Sequence, residues 1–123
     1  MSEKKRILLV DDEPELVEEL SLILEEEGYE VVSAPDGKQG VDLFRENGFS
    51  VVLMDIKMPE MNGLDAFREI IAVKPDAKVI IITGSFAKEL SEQAIKEGAL
   101  SAMYKPFDPT DLLALIDSII KEE

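Results

Sequence analysis

Short runs of β-branched and aliphatic residues recur along the chain and are separated by longer stretches with helical spacing. The runs cover residues 7–10, 31–34, 51–54 and 79–82, with a weaker run at 102–104. Most of them are continuously apolar rather than alternating, which is typical of strands covered on both faces. Strands that alternate with helices pair in parallel through right-handed crossovers. The pattern therefore predicts an α/β domain of five βα units.

The stretches between the runs place apolar residues on one helical face. Leu16, Leu20 and Leu24 recur every four residues, and similar spacing returns within residues 64–71 and 112–120. Glycine favours helix C-termini, whereas Asp followed by Pro favours an N-terminus. The expected boundary residues are Gly28, Gly48, Gly98 and the pair Asp108 and Pro109.

The chain has the length and composition of one domain. No linker, repeat or low-complexity segment divides its 123 residues, so we expect a single domain over residues 1–123 without an output domain. The absence of cysteine excludes disulfides and thiolate metal sites. The apolar run near the N-terminus is too short for a signal peptide or a membrane span. We expect a soluble, cytoplasmic protein that does not contact membranes.

The charge of the chain narrows the possible functions. Thirteen Lys and Arg residues stand against 27 Asp and Glu residues, a formal net charge of −14. This charge repels phosphate backbones, so direct nucleic-acid binding is not expected. Histidine is absent, which removes the commonest general base and the usual transition-metal ligand. Any chemistry must use carboxylates, lysine, hydroxyl groups and a hard cation.

Polar residues follow four of the predicted strands. They are Asp11 and Asp12 after the first strand, Asp55 after the third, Thr83 after the fourth and Lys105 after the fifth. In an open parallel sheet, groups that do chemistry gather at the carboxyl ends of the strands. We therefore expect three carboxylates, one hydroxyl group and one ammonium group to converge in a single crevice.

Three carboxylates in one crevice would raise each other's pKa values unless a cation lay between them. With oxygen ligands only, the expected ion is Mg²⁺, which binds through one or two carboxylates plus a phosphate. Taken alone, paired acids after a strand are more often a solvated turn or charges at a helix N-terminus. Together with Asp55 and Lys105, the pair predicts a site for phosphoryl transfer. Asp55 stands alone before an irregular loop and is the favoured nucleophile.

Four short motifs then identify a family. They are "DD" at 11–12, "DIKMPEMNG" at 55–63, "TG" at 83–84 and "KPF" at 105–107. In this order and strand context, they resemble the receiver domain of two-component response regulators over essentially the full chain. The resemblance implies a flavodoxin-like, doubly wound sheet of five parallel strands in the order 2-1-3-4-5, with five helices on both faces.

The resemblance also implies a magnesium site and a phosphoacceptor. Asp55 would accept the phosphoryl group and contribute to the metal site. Asp12 and Asp11 would hold Mg²⁺ directly and through water, and the backbone carbonyl of Lys57 would be a further ligand.

Two more residues take roles from the resemblance. Thr83 and Lys105 would contact the phosphoryl oxygens. The peptide between Lys105 and Pro106 is expected to be cis.

The resemblance further implies partners. A sensor histidine kinase, a phosphotransfer protein or a small phosphodonor would supply the phosphoryl group, and the kinase is expected to dock around Pro14, Glu15 and residues 106–108. Phosphorylation would switch the surface around the fourth helix, fifth strand and fifth helix toward a downstream protein or a fused output domain, with a phosphorylation-dependent dimer as a further expectation. The domain would catalyse its own phosphotransfer and dephosphorylation without being a turnover enzyme.

Two alternatives stay open at this stage. Ala102 stands where many family members carry an aromatic side chain that rotates inward on phosphorylation, so a degenerate receiver could act as a phosphorylation-independent docking scaffold. An aspartate-nucleophile phosphatase is less favoured, because Lys57 occupies the place of the second aspartate that those enzymes usually carry. A Rossmann nucleotide site is disfavoured because no glycine-rich turn follows the first strand.

Overall fold

Five parallel strands and five helices alternate in the computed structural model, which describes residues 4–56, 62–84 and 88–121. The elements are β1 (Arg6–Val10), α1 (Pro14–Glu26), β2 (Glu30–Ala34), α2 (Gly37–Glu46), β3 (Val51–Asp55), α3 (Gly63–Val73), β4 (Val79–Thr83), α4 (Lys88–Lys96), β5 (Ser101–Tyr104) and α5 (Pro109–Lys121). The strands form one sheet in the order β2-β1-β3-β4-β5. The predicted fold and strand order are confirmed. Within the described ranges, no helix is long and apolar enough to cross a membrane.

The sheet separates two hydrophobic cores, because alternate residues of each strand face opposite sides. Leu8 and Val10 of β1 face the core under α2, α3 and α4, which contains Phe67. Ile7 and Leu9 face the core under α1 and α5. These five side chains are fully buried. Helices on both faces therefore account for the continuously apolar strand runs.

Capping side chains and glycines set the helix boundaries. Asp36, Asn62 and Asp108 each accept a hydrogen bond from a backbone N–H at the start of α2, α3 and α5, at 2.8 to 2.9 Å. Gly28 and Gly98 follow α1 and α4 with φ angles of 95° and 121°, which glycine adopts without strain. The boundaries predicted from Asp108 and from these two glycines are confirmed.

Candidate functional site

Three aspartates lie together at the carboxyl edge of the sheet. Asp11 and Asp12 follow β1, and Asp55 is the last residue of the neighbouring strand β3. One carboxylate oxygen from each residue lies within 4.8 Å of the other two. Asp11 and Asp55 are only 2% and 3% exposed, whereas Asp12 is exposed. The strand ends therefore bring together the three carboxylates that the sequence placed in one crevice.

Lys105 brings a positive charge to this cluster. Its ammonium group donates hydrogen bonds to Glu13 Oε1 at 2.7 Å and Asp11 Oδ2 at 2.9 Å, and it lies 3.5 Å from Asp55 Oδ2. The side chain is 18% exposed. The peptide that joins Lys105 to Pro106 is cis, as the resemblance implies. One ammonium group thus contacts three carboxylates, so the cluster keeps an excess of negative charge.

Burial and ion pairing act in opposite directions on the pKa values of the cluster. Burial raises the pKa of the Asp11 carboxyl group above its usual value, and hydrogen bonds from Lys105 and the Glu13 backbone N–H offset only part of this effect. Burial disfavours the charge on Lys105, but its hydrogen bonds to Glu13 and Asp11 outweigh burial and raise the pKa of Lys105. These contacts keep Lys105 charged, whereas Asp11 is harder to ionise here than a carboxyl group in water. Further positive charge near Asp11 would favour its ionised form.

Thr83 lies at the same edge with an unused hydroxyl group. Asp55 pairs with Ile82 in the sheet, and Thr83 is the next residue along β4. Thr83 is fully buried, and its Oγ1 has no hydrogen-bond partner in the described part of the chain. A buried hydroxyl group without a partner is costly and calls for an explanation, such as a ligand or an ordered water. Thr83 therefore has a donor available for a group bound in the crevice.

The loop that follows β3 returns to the site at Gly63. The Gly63 backbone N–H donates to the Ile56 carbonyl at 2.8 Å. A Cβ atom at this position would lie 2.1 Å from the Asp55 carbonyl oxygen, far inside van der Waals contact. Gly63 thus places the far end of the loop directly against Asp55.

Lys57 falls in 57–61, outside the described residues, so its role as a carbonyl ligand stays a prediction.

Glu13 is the contact residue that the sequence analysis missed. It occupies the N-cap position of α1, yet its side chain makes no capping hydrogen bond and bonds Lys105 instead. Glutamate is not among the preferred N-cap residues. The sequence signal for this contact was a glutamate, a poor N-cap residue, directly after Asp11 and Asp12 at the start of a predicted helix.

The sequence matches known response regulators. The family profile described as the response regulator receiver domain covers residues 7–117. The chemotaxis protein CheY of Thermotoga maritima is 37% identical over 118 residues, which cover 95% of this chain and 98% of that protein. The transcriptional regulatory protein PdtaR of Mycobacterium tuberculosis is 38% identical over 114 residues, 92% of this chain but only 55% of that protein.

Solved structures match over nearly the whole chain as well. A response regulator receiver domain from Clostridium thermocellum superposes with a TM-score of 0.90 at 36% identity, covering 96% of this chain and 95% of that one. The response regulator TrrA of Thermotoga maritima, solved in complex with Mg²⁺ and BeF, has a TM-score of 0.84 at 34% identity, with 94% and 98% covered. The likeness is therefore one of sequence and of fold.

The close approach at Gly63 predicts a local steric cost. Gly63→Ala should lower the free energy of unfolding by about 1–3 kcal/mol, because the added methyl group meets backbone atoms that cannot move aside. Gly48→Ala is the matched control, since a Cβ atom there meets nothing within 4 Å. Urea unfolding of both variants measures the difference. Equal stability of the two variants would contradict the close approach.

Proposed function

This chain belongs to the response regulator receiver domain family, and on that premise we propose that it accepts a phosphoryl group on Asp55 in an Mg²⁺-dependent reaction. The observation that carries the proposal is the cluster of Asp11, Asp12 and Asp55 oxygens within 4.8 Å, contacted by Lys105. A phosphoryl group on Asp55 would enter a site that already contains the Lys105 ammonium group and the Thr83 hydroxyl group, which has no partner among the described residues.

The donor set fits Mg²⁺. The cluster offers carboxylate oxygens alone, and the chain has no His or Cys to favour a softer ion. Asp11, Asp12 and Asp55 would hold the ion, with the Lys57 carbonyl as the further predicted ligand. When bound, Mg²⁺ would neutralise charge on the transferring phosphoryl group and orient its oxygens.

The remaining residues have separate roles in the proposed transfer. An Asp55 carboxylate oxygen attacks phosphorus, the new O–P bond makes an acyl phosphate, and the bond from phosphorus to the donor breaks with its electron pair left on the donor. Lys105 donates to one phosphoryl oxygen and keeps its charge throughout. Thr83 donates its unpaired hydroxyl group to another. The chain has no histidine, so a phosphohistidine donor must lie on another protein.

We propose that the domain acts in the cytoplasm as a switch and not as a turnover enzyme. Lys57 stands where phosphatases of this type carry their acid–base aspartate, so the residue that would speed repeated turnover is missing at that position. A phosphorylation-independent docking scaffold is the second candidate. The observation that favours it is Ala102, which is half-buried in β5 and has no ring to rotate.

A groove beside the site suits the kinase or phosphotransfer partner. It has a volume of about 500 Å³ and opens next to Lys105, lined among others by Leu16, Leu20, Pro106 and Phe107. Lys105 lines this groove and also lies 3.5 Å from Asp55 Oδ2, so a protein that brings phosphohistidine to Asp55 would cover the groove. The groove extends the docking region expected from the sequence along α1.

The surface formed by α4, the turn after it and β5 suits the output partner or a second copy of the chain. Apolar side chains are exposed on α4, on the turn that follows it and on β5, namely Ile95, Leu100 and Tyr104. Tyr104 pairs with Thr83 in the sheet. A shift of Thr83 toward a phosphoryl group would therefore reach this surface through adjacent strands.

The groove assignment predicts a donor-dependent defect. Glu19→Lys, which reverses a charge in the groove lining, should slow phosphotransfer from a phosphorylated histidine phosphotransfer domain but leave phosphorylation by acetyl phosphate unchanged. Parallel time courses with the two donors measure this. Equal rates for variant and parent with the protein donor would contradict docking in the groove.

If Asp55 accepts a phosphoryl group, the intact-protein mass should rise by one phosphoryl group after incubation with Mg²⁺ and acetyl phosphate. The gain should disappear in Asp55→Asn and in metal-free buffer, because the nucleophile or the counter-charge is then missing. Asp76→Asn, which removes an exposed carboxylate in a turn, is the matched control and should be phosphorylated normally. A folded protein that gains no mass would support the docking scaffold instead.

Sedimentation of the same phosphorylated sample tests whether phosphorylation produces dimers.

A further inference from the structure

Glu13 links the start of α1 to the centre of the site. Its backbone N–H donates to Asp11 Oδ1 at 2.9 Å, and its carboxylate accepts from Lys105 Nζ at 2.7 Å. The second contact is shorter than those of Lys105 to Asp11 and Asp55, at 2.9 and 3.5 Å. Among the described residues, the carboxylate nearest to Lys105 Nζ thus belongs to a residue outside the aspartate cluster.

The three carboxylate partners of Lys105 are not equivalent. Asp11 and Asp55 belong to the cluster with metal-ligand spacing, and Glu13 does not. A bound cation would engage oxygens of Asp11 and Asp55, which would weaken their attraction for the ammonium group. Glu13 would then be the partner that keeps its full negative charge for Lys105.

The ion pair between Glu13 and Lys105 can break at little cost in free energy. The Glu13 side chain is 60% exposed while that of Lys105 is 18% exposed, so the pair runs from the protein surface into the crevice. A partly exposed pair of this kind is weak, because water solvates the carboxylate when the contact breaks. Glu13 also forgoes capping of α1, so release of its side chain removes no helix hydrogen bond.

We propose that Glu13 is a positioning residue that holds Lys105 toward α1 in the unphosphorylated domain and competes with the phosphoryl group for it. The inference rests on the proposed function, since it takes Lys105 to contact the phosphoryl group on Asp55. The phosphoryl group must draw the ammonium group away from Glu13. Glu13 therefore lowers the affinity of the site for a phosphoryl group.

The test measures beryllofluoride affinity at saturating Mg²⁺ by ¹⁹F NMR, because this anion mimics a phosphoryl group on a carboxylate. Glu13→Gln removes the competing charge and should tighten binding about two- to fivefold, as expected for loss of a partly exposed ion pair. Glu13→Asp keeps the charge but is one methylene group shorter, so it should tighten binding as well. Glu18→Gln removes an exposed charge from α1 and should leave the affinity unchanged.

Several results would overturn the inference. Unchanged or weaker beryllofluoride binding in Glu13→Gln excludes competition, and equal tightening in Glu18→Gln assigns the effect to net charge. A loss of Mg²⁺ affinity beyond about tenfold in Glu13→Gln, measured by calorimetry without beryllofluoride, would make Glu13 part of the metal site. If the parent protein binds no beryllofluoride with Mg²⁺ present, the proposed function fails first. If the parent binds beryllofluoride and the Glu13 variants bind it no more tightly than the parent does, the inference alone fails.

Discussion

The site depends on holding several carboxylates together, two of them away from water, against their mutual repulsion. Asp11 and Asp55 are almost fully buried at the ends of neighbouring strands, and burial raises the pKa of Asp11 despite its contact with Lys105. The sheet opposes this repulsion, because β1 and β3 pack tightly between two hydrophobic cores and keep the carboxylates in place. A site built on rigid strands can keep such an arrangement ready for a cation, whereas flexible loops would let the charges separate.

The same constraint explains how the domain could act as a switch. In the proposed reaction, Mg²⁺ would offset the excess negative charge of the three aspartates, so that a phosphoryl group could approach Asp55 without being repelled. Lys105, which follows β5, pairs with Asp11 at the end of β1 and with Glu13 at the start of α1, so an anion bound in the crevice would compete with both contacts. Thr83, at the end of β4, adds a buried hydroxyl donor that has no hydrogen-bond partner among the described residues. Under the proposed function, a change of charge in the crevice would be felt at α1 and β5, where partners are proposed to dock.

The α/β class and the acidic cluster followed from the hydrophobic pattern and from general rules of parallel sheets, whereas the strand order 2-1-3-4-5 was implied by the family resemblance. Continuous apolar runs predicted strands covered on both faces, and the strand-end rule of parallel sheets placed Asp11, Asp12 and Asp55 together before any contact was known. Glu13 and Gly63 were different. The direction of the Glu13 side chain depends on where Lys105 arrives from the far end of the chain, and the contact of Gly63 with Asp55 depends on the path of the intervening loop. Neither leaves a periodic pattern in the sequence.

The account is tested most directly by the effect of Mg²⁺ on the free energy of unfolding. If the three aspartates form a metal site, Mg²⁺ should stabilise the parent protein progressively, by about 2.7 kcal/mol at a hundred times its dissociation constant. Asp11→Asn should lose most of this gain, because it removes a buried ligand and part of the repulsion that Mg²⁺ relieves. Urea unfolding across a Mg²⁺ series at constant ionic strength measures it. Equal stabilisation of the parent and Asp11→Asn, or none in either, would contradict the account.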